Sequence, residues 1–100
     1  MAKEVVISEL AEMNYESILT YLYSDWGINV ANNFVERFEE VCGHLEKNTS
    51  IYPFANKVKQ IQKCVLTEQN ALFFRESENV VEILMIFDTR QNPEKLSGLL

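Results

Sequence analysis

The spacing of apolar residues changes halfway along this chain, and that change limits the folds open to it. In the first half, apolar residues recur at steps of three and four and form two stripes. The members are Ala11, Tyr15, Ile18, Leu22 and Trp26, with Leu19 beside them, followed by Ala31, Phe34, Phe38, Val41 and Leu45, with Val35 and Cys42. This period predicts two amphipathic helices, and because both stripes are wide, the helices should cover a further apolar layer.

The second half has a different period. Its segments KVKQIQKCVLT, ALFFRE and VVEILMIFD are rich in β-branched and aromatic residues. The polar connections EQN and SEN have the length of hairpin turns, so the three segments predict an antiparallel meander. Residues 80–87 are almost continuously apolar, which is typical of a central strand that is covered on both sides.

Local signals complete the predicted fold. Residues 5–7 indicate a short first strand, and Ser8 is a suitable N-cap for the first helix, with Glu9 and Glu12 in its first turn. That helix should end near Gly27, and Asn29 can cap the second. The predicted fold class is therefore α+β, in the order β-α-α-β-β-β. One domain spans residues 1–100, with an N-terminal strand and a two-helix hairpin packed on a curved antiparallel β-sheet.

The composition excludes several kinds of site. His44 is the only histidine, Cys42 and Cys64 lack the spacing of a metal site, and three scattered glycines form no phosphate-binding loop. We therefore expect no metal or other cofactor, and two free thiols of the kind found in cytosolic proteins. No segment approaches the roughly 20 apolar residues that span a bilayer, and the first residues carry acids where a signal peptide is apolar. These features predict a cytoplasmic protein without a membrane partner.

The net charge of -6 is unevenly distributed. Residues 1–48 hold nine acids and three bases, a balance of 3 − 9 = -6, whereas residues 49–100 hold six of each. The acidic first half is typical of solvated helix faces. An anionic partner is therefore expected to approach the second half.

Six cationic residues of the second half are the candidate target-binding residues. They are Lys57, Lys59, Lys63, Arg75, Arg90 and Lys95. The three lysines at 57, 59 and 63 lie at even steps along one predicted strand, so they could project from one side of the sheet. Arg90 follows the most apolar strand, and Pro93 stops regular pairing just beyond it. The alternatives are solvated lysines at a strand edge and an ion pair between Arg90 and Asp88.

Several segments together resemble a known family. They are YLYSDWG at residues 21–27, YP at 52–53, the strands IQKCVLT and ALFF, and FDTRQNPEKL at 87–96. With these segments the chain resembles the RelE/ParE-type toxins of bacterial type II toxin–antitoxin modules, also called plasmid stabilisation modules. The resemblance extends over nearly the whole chain, and the family fold is the predicted one.

The resemblance implies a cytoplasmic, growth-inhibiting bacterial toxin that a cognate antitoxin holds inactive. The toxin could form a homodimer or a hetero-oligomer with the antitoxin. RelE-like members cleave mRNA on the ribosome with a Lys and Arg cluster, whereas ParE-like members block DNA gyrase without cleavage chemistry. Arg90 fits the family's strand-end arginine, Lys95 fits the lysine that follows it, and Lys63 could stand for a catalytic lysine.

Two departures from the RNA-cleaving pattern influence the choice between these activities. Ala71 occupies the place of an expected second arginine, and the tail after Arg90 has no tyrosine. These departures and the acidity of the chain favour a ParE-like inhibitor of DNA gyrase that is not an enzyme. The alternatives are a ribosome-dependent mRNA endoribonuclease and a non-toxic module that binds an antitoxin or acts as a co-repressor.

Overall fold

The structure, a computed structural model, describes residues 2–89, 98 and 100, and it is built on a five-stranded sheet. In chain order the elements are β1 (Glu4–Ile7), α1 (Glu9–Trp26), α2 (Ile28–Lys47), β2 (Phe54–Asn56), β3 (Ile61–Thr67), β4 (Asn70–Glu76) and β5 (Val80–Asp88). The strands lie side by side in the order β1-β5-β4-β3-β2, and the helical hairpin packs on one face. This arrangement confirms the predicted α+β fold.

The sheet differs from the predicted one in detail. β3, β4 and β5 form the expected antiparallel meander, and β5 is an interior strand, as its apolar run predicts. β1 runs parallel to β5, so the sheet is mixed. β2 is an additional three-residue strand that pairs with the start of β3. So short a strand carries too few residues for an alternating pattern to reveal it.

The predicted N-cap of α1, Ser8, is confirmed, whereas the predicted N-cap of α2, Asn29, is wrong. The Ser8 hydroxyl oxygen accepts a hydrogen bond from the Ala11 amide at 3.0 Å, and the hydroxyl donates to the Leu84 carbonyl oxygen of β5 at 2.8 Å. α1 ends at Gly27, whose φ of 92° lies in the left-handed region that favours glycine. Because this one residue reverses the chain, α2 begins at Ile28, and Asn29 lies inside the helix.

The helices confirm the predicted stripes to different extents. α2 buries its whole stripe, which comprises Ala31, Phe34, Phe38, Val41 and Leu45. α1 buries Ala11 and Leu22 and leaves Tyr15 partly buried. Trp26, predicted as the last member of the first stripe, is 59% exposed. Periodicity identifies the apolar side of a helix but not how far the core beneath it extends, so the prediction is wrong at Trp26.

Two apolar clusters cover the two faces of the sheet. The larger lies beneath the helices and includes the buried strand residues Leu72, Phe74 and Ile83. The smaller, which we call the outer cluster, consists of Ile61, Ala71, Phe73, Met85 and Phe87, with Leu84 and Leu100 packed against it. It lies on the face opposite α1 and α2, which we call the helix-free face because neither of these two helices packs on it. β5 is therefore covered on both sides, as its sequence predicts.

A polar cluster joins three separate segments beside the larger core. The Lys3 ammonium group donates to Glu76 Oε2 at 2.9 Å and to the Ser77 carbonyl oxygen at 2.7 Å. The Thr49 hydroxyl donates to the same Glu76 oxygen at 2.7 Å. These hydrogen bonds from Lys3 and Thr49 hold the pKa of Glu76 below its ordinary value. The cluster ties the start of the chain and the α2–β2 connection to the end of β4.

Glu76→Gln is expected to make the free energy of unfolding less dependent on pH. Because the folded pKa is depressed, ionised Glu76 stabilises the fold above its unfolded pKa, and this contribution is lost as the pH falls through the folded pKa. Since the Glu76 side chain is 36% exposed, solvent screening should limit the contribution to less than about 1 kcal/mol. Urea unfolding at neutral and acid pH measures this difference. Glu78→Gln, an exposed change in the β4–β5 connection, is the control, and equal pH effects in both variants would contradict the assignment.

Candidate functional site

The helix-free face is the candidate site because it carries two of the predicted cations. Cross-strand partners point to the same side of a sheet, so the pairings of Lys63 with Phe73, Ile61 with Arg75 and Arg75 with Glu82 define this face. Lys63 and Arg75 are diagonal neighbours on it, which places their Cα atoms about 7–8 Å apart. The structure thus brings these two predicted residues together.

Arg75 lies in a less positive environment than the sequence suggests. Its cross-strand partner on β5 is Glu82, and the two residues line a shallow depression together with Glu76 and Val80. Opposite charges at directly paired positions attract, so Glu82 offsets part of the positive charge that Arg75 would offer to an anion. No sequence signal identifies Glu82, because its pairing depends on a register shift between Phe73 and Phe74.

Lys57 and Lys59 do not lie on the strand where the even spacing places them. β3 begins at Ile61, and residues 57–60 form a turn in which Gln60 has a φ of 59°. The Asn56 side-chain oxygen accepts the Lys59 amide hydrogen bond at 3.0 Å and fixes the turn. The Lys59 ammonium group donates to the Leu100 carbonyl oxygen, whereas Lys57 is an exposed member of the turn. Both lysines therefore lie off the strand that carries Lys63, and Lys59 contacts Leu100, which packs against the outer cluster.

Arg90 and Lys95 lie outside the described residues, so their positions stay predictions. Thr89, the residue before Arg90, lies beside the β3–β4 turn, because its amide donates to the Gln69 carbonyl oxygen at 2.7 Å. Arg75 lies towards the opposite end of β4, five residues beyond Asn70, which at about 3.4 Å per residue is roughly 17 Å. Lys63 lies between these two ends of the face.

The centre of the helix-free face is apolar. Phe73 and Ala71 are each 1% exposed, and both belong to the outer cluster. Along β3, β4 and β5, the titratable side chains described on this face are Lys63, Arg75 and Glu82. The two cations on this face could contact an anionic partner, whereas proton transfer to and from RNA needs an acid and a base at the scissile bond.

Arg37 has a role that the sequence analysis did not identify. Its guanidinium group donates from Nε to the Leu66 carbonyl oxygen at 2.9 Å and from Nη2 to the Val65 carbonyl oxygen at 3.0 Å. A third nitrogen, Nη1, lies 2.6 Å from Glu40 Oε1. β2 is too short to pair with this part of β3, and Arg37 donates to these two carbonyl groups instead. The guanidinium group of Arg37 therefore makes its hydrogen bonds within the fold.

Both thiols lie in environments that disfavour the thiolate form. Burial, followed by the nearby carboxylates of Glu46 and Glu39, raises the pKa of Cys42 to about 11, and burial also raises that of Cys64. Both cysteines are free, as predicted. Among the described residues, no group of three or more His, Cys, Asp or Glu could hold a metal ion. Within the same part of the chain, neither helix is long and apolar enough to cross a membrane.

Cys42 is expected to resist alkylation in the folded protein. A thiol pKa of about 11 in place of an ordinary one leaves roughly 100-fold less thiolate near neutral pH, so iodoacetamide should react about 100-fold more slowly. Mass spectrometry of quenched samples measures the rate, with protein unfolded in guanidinium as the control. Rapid modification of Cys42 while the fold persists would contradict this expectation.

Several solved structures share this fold. The chromosomal ParDE TA system from P. aeruginosa matches with a TM-score of 0.73 and 16% identity, over 87% of this chain and 96% of that chain. The YoeB dimer from Staphylococcus aureus matches with a TM-score of 0.62 and 11% identity, over 87% and 97%. YafQ from E. coli matches with a TM-score of 0.57 and 8% identity, over 88% and 94%. No family model matches the sequence, and no curated protein is a significant match to it.

Proposed function

We propose that this chain, which has the fold of the RelE/ParE-type toxins, is the toxin of a bacterial type II toxin–antitoxin module. It acts in the cytoplasm by binding DNA gyrase without cleaving nucleic acid, and a cognate antitoxin neutralises it. The similarity to a chain of a ParDE TA system over most of both chains supports this proposal. So do the segments that resemble the toxins, from YLYSDWG to FDTRQNPEKL.

The observation that best supports an activity without RNA cleavage is the buried apolar centre of the helix-free face. Ala71 occupies the position where an RNA-cleaving relative is expected to have a second arginine, and it is 1% exposed beside Phe87. RNA cleavage requires groups that activate the 2′-hydroxyl, stabilise charge on the phosphate and protonate the leaving oxygen. A protein with a net charge of -6 also gains little from phosphate contacts. Together these features favour binding to a protein target.

A supercoiling assay tests this proposal directly. Purified protein added to gyrase and relaxed plasmid should reduce the supercoiled product as its concentration increases. Heat-unfolded protein at the same concentration is the control for non-specific inhibition. Unchanged supercoiling at a large excess of folded protein would reject gyrase as the target.

Ribosome-dependent mRNA cleavage is the second candidate, and one observation favours it. Lys63 and Arg75 lie on the same face, where two cations could contact an RNA backbone. Primer extension after induction would then reveal new 5′ ends within codons, whereas intact messages would remove this candidate. Harmless overexpression without an antitoxin would instead favour the third possibility, a module that binds an antitoxin and poisons nothing.

A further inference from the structure

Large apolar side chains are exposed where α1 and α2 meet. Tyr23, Trp26, Ile28 and Val30 are exposed by 62, 59, 56 and 38%, and we call them the hairpin-end surface. Single exposed apolar residues are ordinary, but a concentration of them around one turn is typical of protein interaction sites. Tryptophan and tyrosine are also the residues that dominate binding energy at interfaces.

Two depressions border the hairpin-end surface, one on each side of the first turns of α2. The first has a volume of about 270 Å³, with Val30 at its edge and the buried side chains of Leu22 and Phe34 in its lining. The second has a volume of about 460 Å³ and is lined by Tyr23, Ala31 and other residues of both helices. Each depression can accept an apolar side chain of a partner that crosses α2.

The exposed aromatic groups are held in place before any partner arrives. The Trp26 indole Nε1 donates to the Tyr21 hydroxyl oxygen at 3.3 Å, which orients the ring. Gly27 reverses the chain immediately afterwards and fixes the relative positions of Trp26 and Ile28. Side chains that are already oriented lose less conformational entropy on binding, so this surface is suited to recognition.

The charge around the hairpin-end surface indicates the chemistry of its partner. Asp25 lies in the last turn of α1, Glu68 lines the first depression, and neither α1 nor the part of α2 before Arg37 contains a Lys or Arg. Arg37, in the middle of α2, is engaged with β3 and Glu40. A cationic partner therefore gains attraction here, whereas a second copy of this acidic hairpin would be repelled.

The backbone indicates the partner's conformation. Residues of α1 and α2 line both depressions, and the other side of the first is lined by the β3–β4 turn with the paired residues Thr67 and Asn70. Main-chain groups within the helices are already paired, so the helices offer no open strand edge. A segment that binds here must satisfy its own backbone hydrogen bonds, and an amphipathic helix does so while presenting apolar anchors on one side. We propose that the hairpin-end surface binds a basic amphipathic helix of a partner protein. This surface lies on the helix-bearing side of the sheet and is separate from the helix-free face, so the inference does not depend on the proposed toxin activity.

A designed peptide tests this inference without knowledge of the natural partner. The probe is a helix of about 18 residues, five turns, with leucines on one face, lysines on the others and no tryptophan. A second peptide carries glutamate in place of every lysine. Because Trp26 is the only tryptophan and belongs to the surface, its fluorescence reports binding. We expect a blue shift with the lysine peptide, weakening at high salt, and at least about tenfold weaker binding of the glutamate peptide.

Paired variants locate the binding site. Tyr23→Ser and Ile28→Ser should each weaken binding of the lysine peptide by about tenfold, whereas Val58→Ser, at a position 95% exposed in the 57–60 turn, should leave it unchanged. Circular dichroism checks that each variant is folded. Equal affinity for both peptides, no response of Trp26, or equal effects in all three variants would overturn the inference. Dimers that Ile28→Ser abolishes in sedimentation experiments would also overturn it, in favour of a second copy.

Discussion

Phe74→Ala is expected to destabilise the protein by about 3–5 kcal/mol. Phe74 is 0% exposed in the larger cluster, and its ring lies perpendicular to that of Tyr52, with a centroid distance of 5.7 Å and an interplanar angle of 89°. Alanine would leave a cavity and remove this aromatic contact. Because small domains have total stabilities of roughly 5–15 kcal/mol, the variant would lose a large fraction of its stability. Its melting temperature should fall by more than about 10 °C.

Phe54→Ala is the matched control, because it removes the same atoms from a strand position that is 44% exposed. Phe54 belongs to the short edge strand β2 and should contribute less than half as much, since much of its ring remains in water. Urea unfolding of the parent and both variants gives the three free energies. Equal losses would show that the helix-covered side of the sheet does not dominate stability.

The fold was largely predictable because its strongest signals are periodic and local. The α2 stripe from Ala31 to Leu45 repeats at helical spacing within a helix of 20 residues, and all five members are buried. The Ser8 cap depends on its own side chain and the next turn, so it was also identifiable. Trp26 and Asn29 were misassigned because both lie at the reversal between the helices. At that point a single glycine determines the geometry, and local periodicity gives no information about it.

The candidate site was less predictable because it depends on register. Whether Arg75 opposes a carboxylate or an apolar residue is decided by the shift that follows Phe73, and no sequence pattern specifies that shift. The spacing of Lys57 and Lys59 matches a strand, yet the Lys59 amide donates to the Asn56 side-chain oxygen and the Gln60 amide to the Lys57 carbonyl oxygen, which stabilises a turn there. Alternation of side-chain type at every second residue is typical of a half-buried strand, but it does not show at which residue the strand begins.

Arg90→Ala is expected to abolish growth inhibition while the fold persists. Arg90 follows β5, which ends at Asp88, and its proposed role is in target binding, so we expect the variant to keep the melting temperature of the parent. An arginine that pairs with a charged group of the target contributes about 2–5 kcal/mol when it is desolvated, a loss of roughly 30-fold or more in affinity. Growth after induction and thermal unfolding of the purified variant measure the two effects separately.

A graded series distinguishes the site from general charge. Lys63→Ala should reduce growth inhibition, because Lys63 lies on the helix-free face. Along this face it stands between Arg75, near the end of β4, and Thr89, beside the β3–β4 turn. Arg75→Ala should have a smaller effect, since Glu82 already offsets its charge. Lys47→Ala, at the exposed end of α2, also removes one positive charge and should remain fully inhibitory. If Arg90→Ala is folded and as inhibitory as Lys47→Ala, Arg90 does not contact the target.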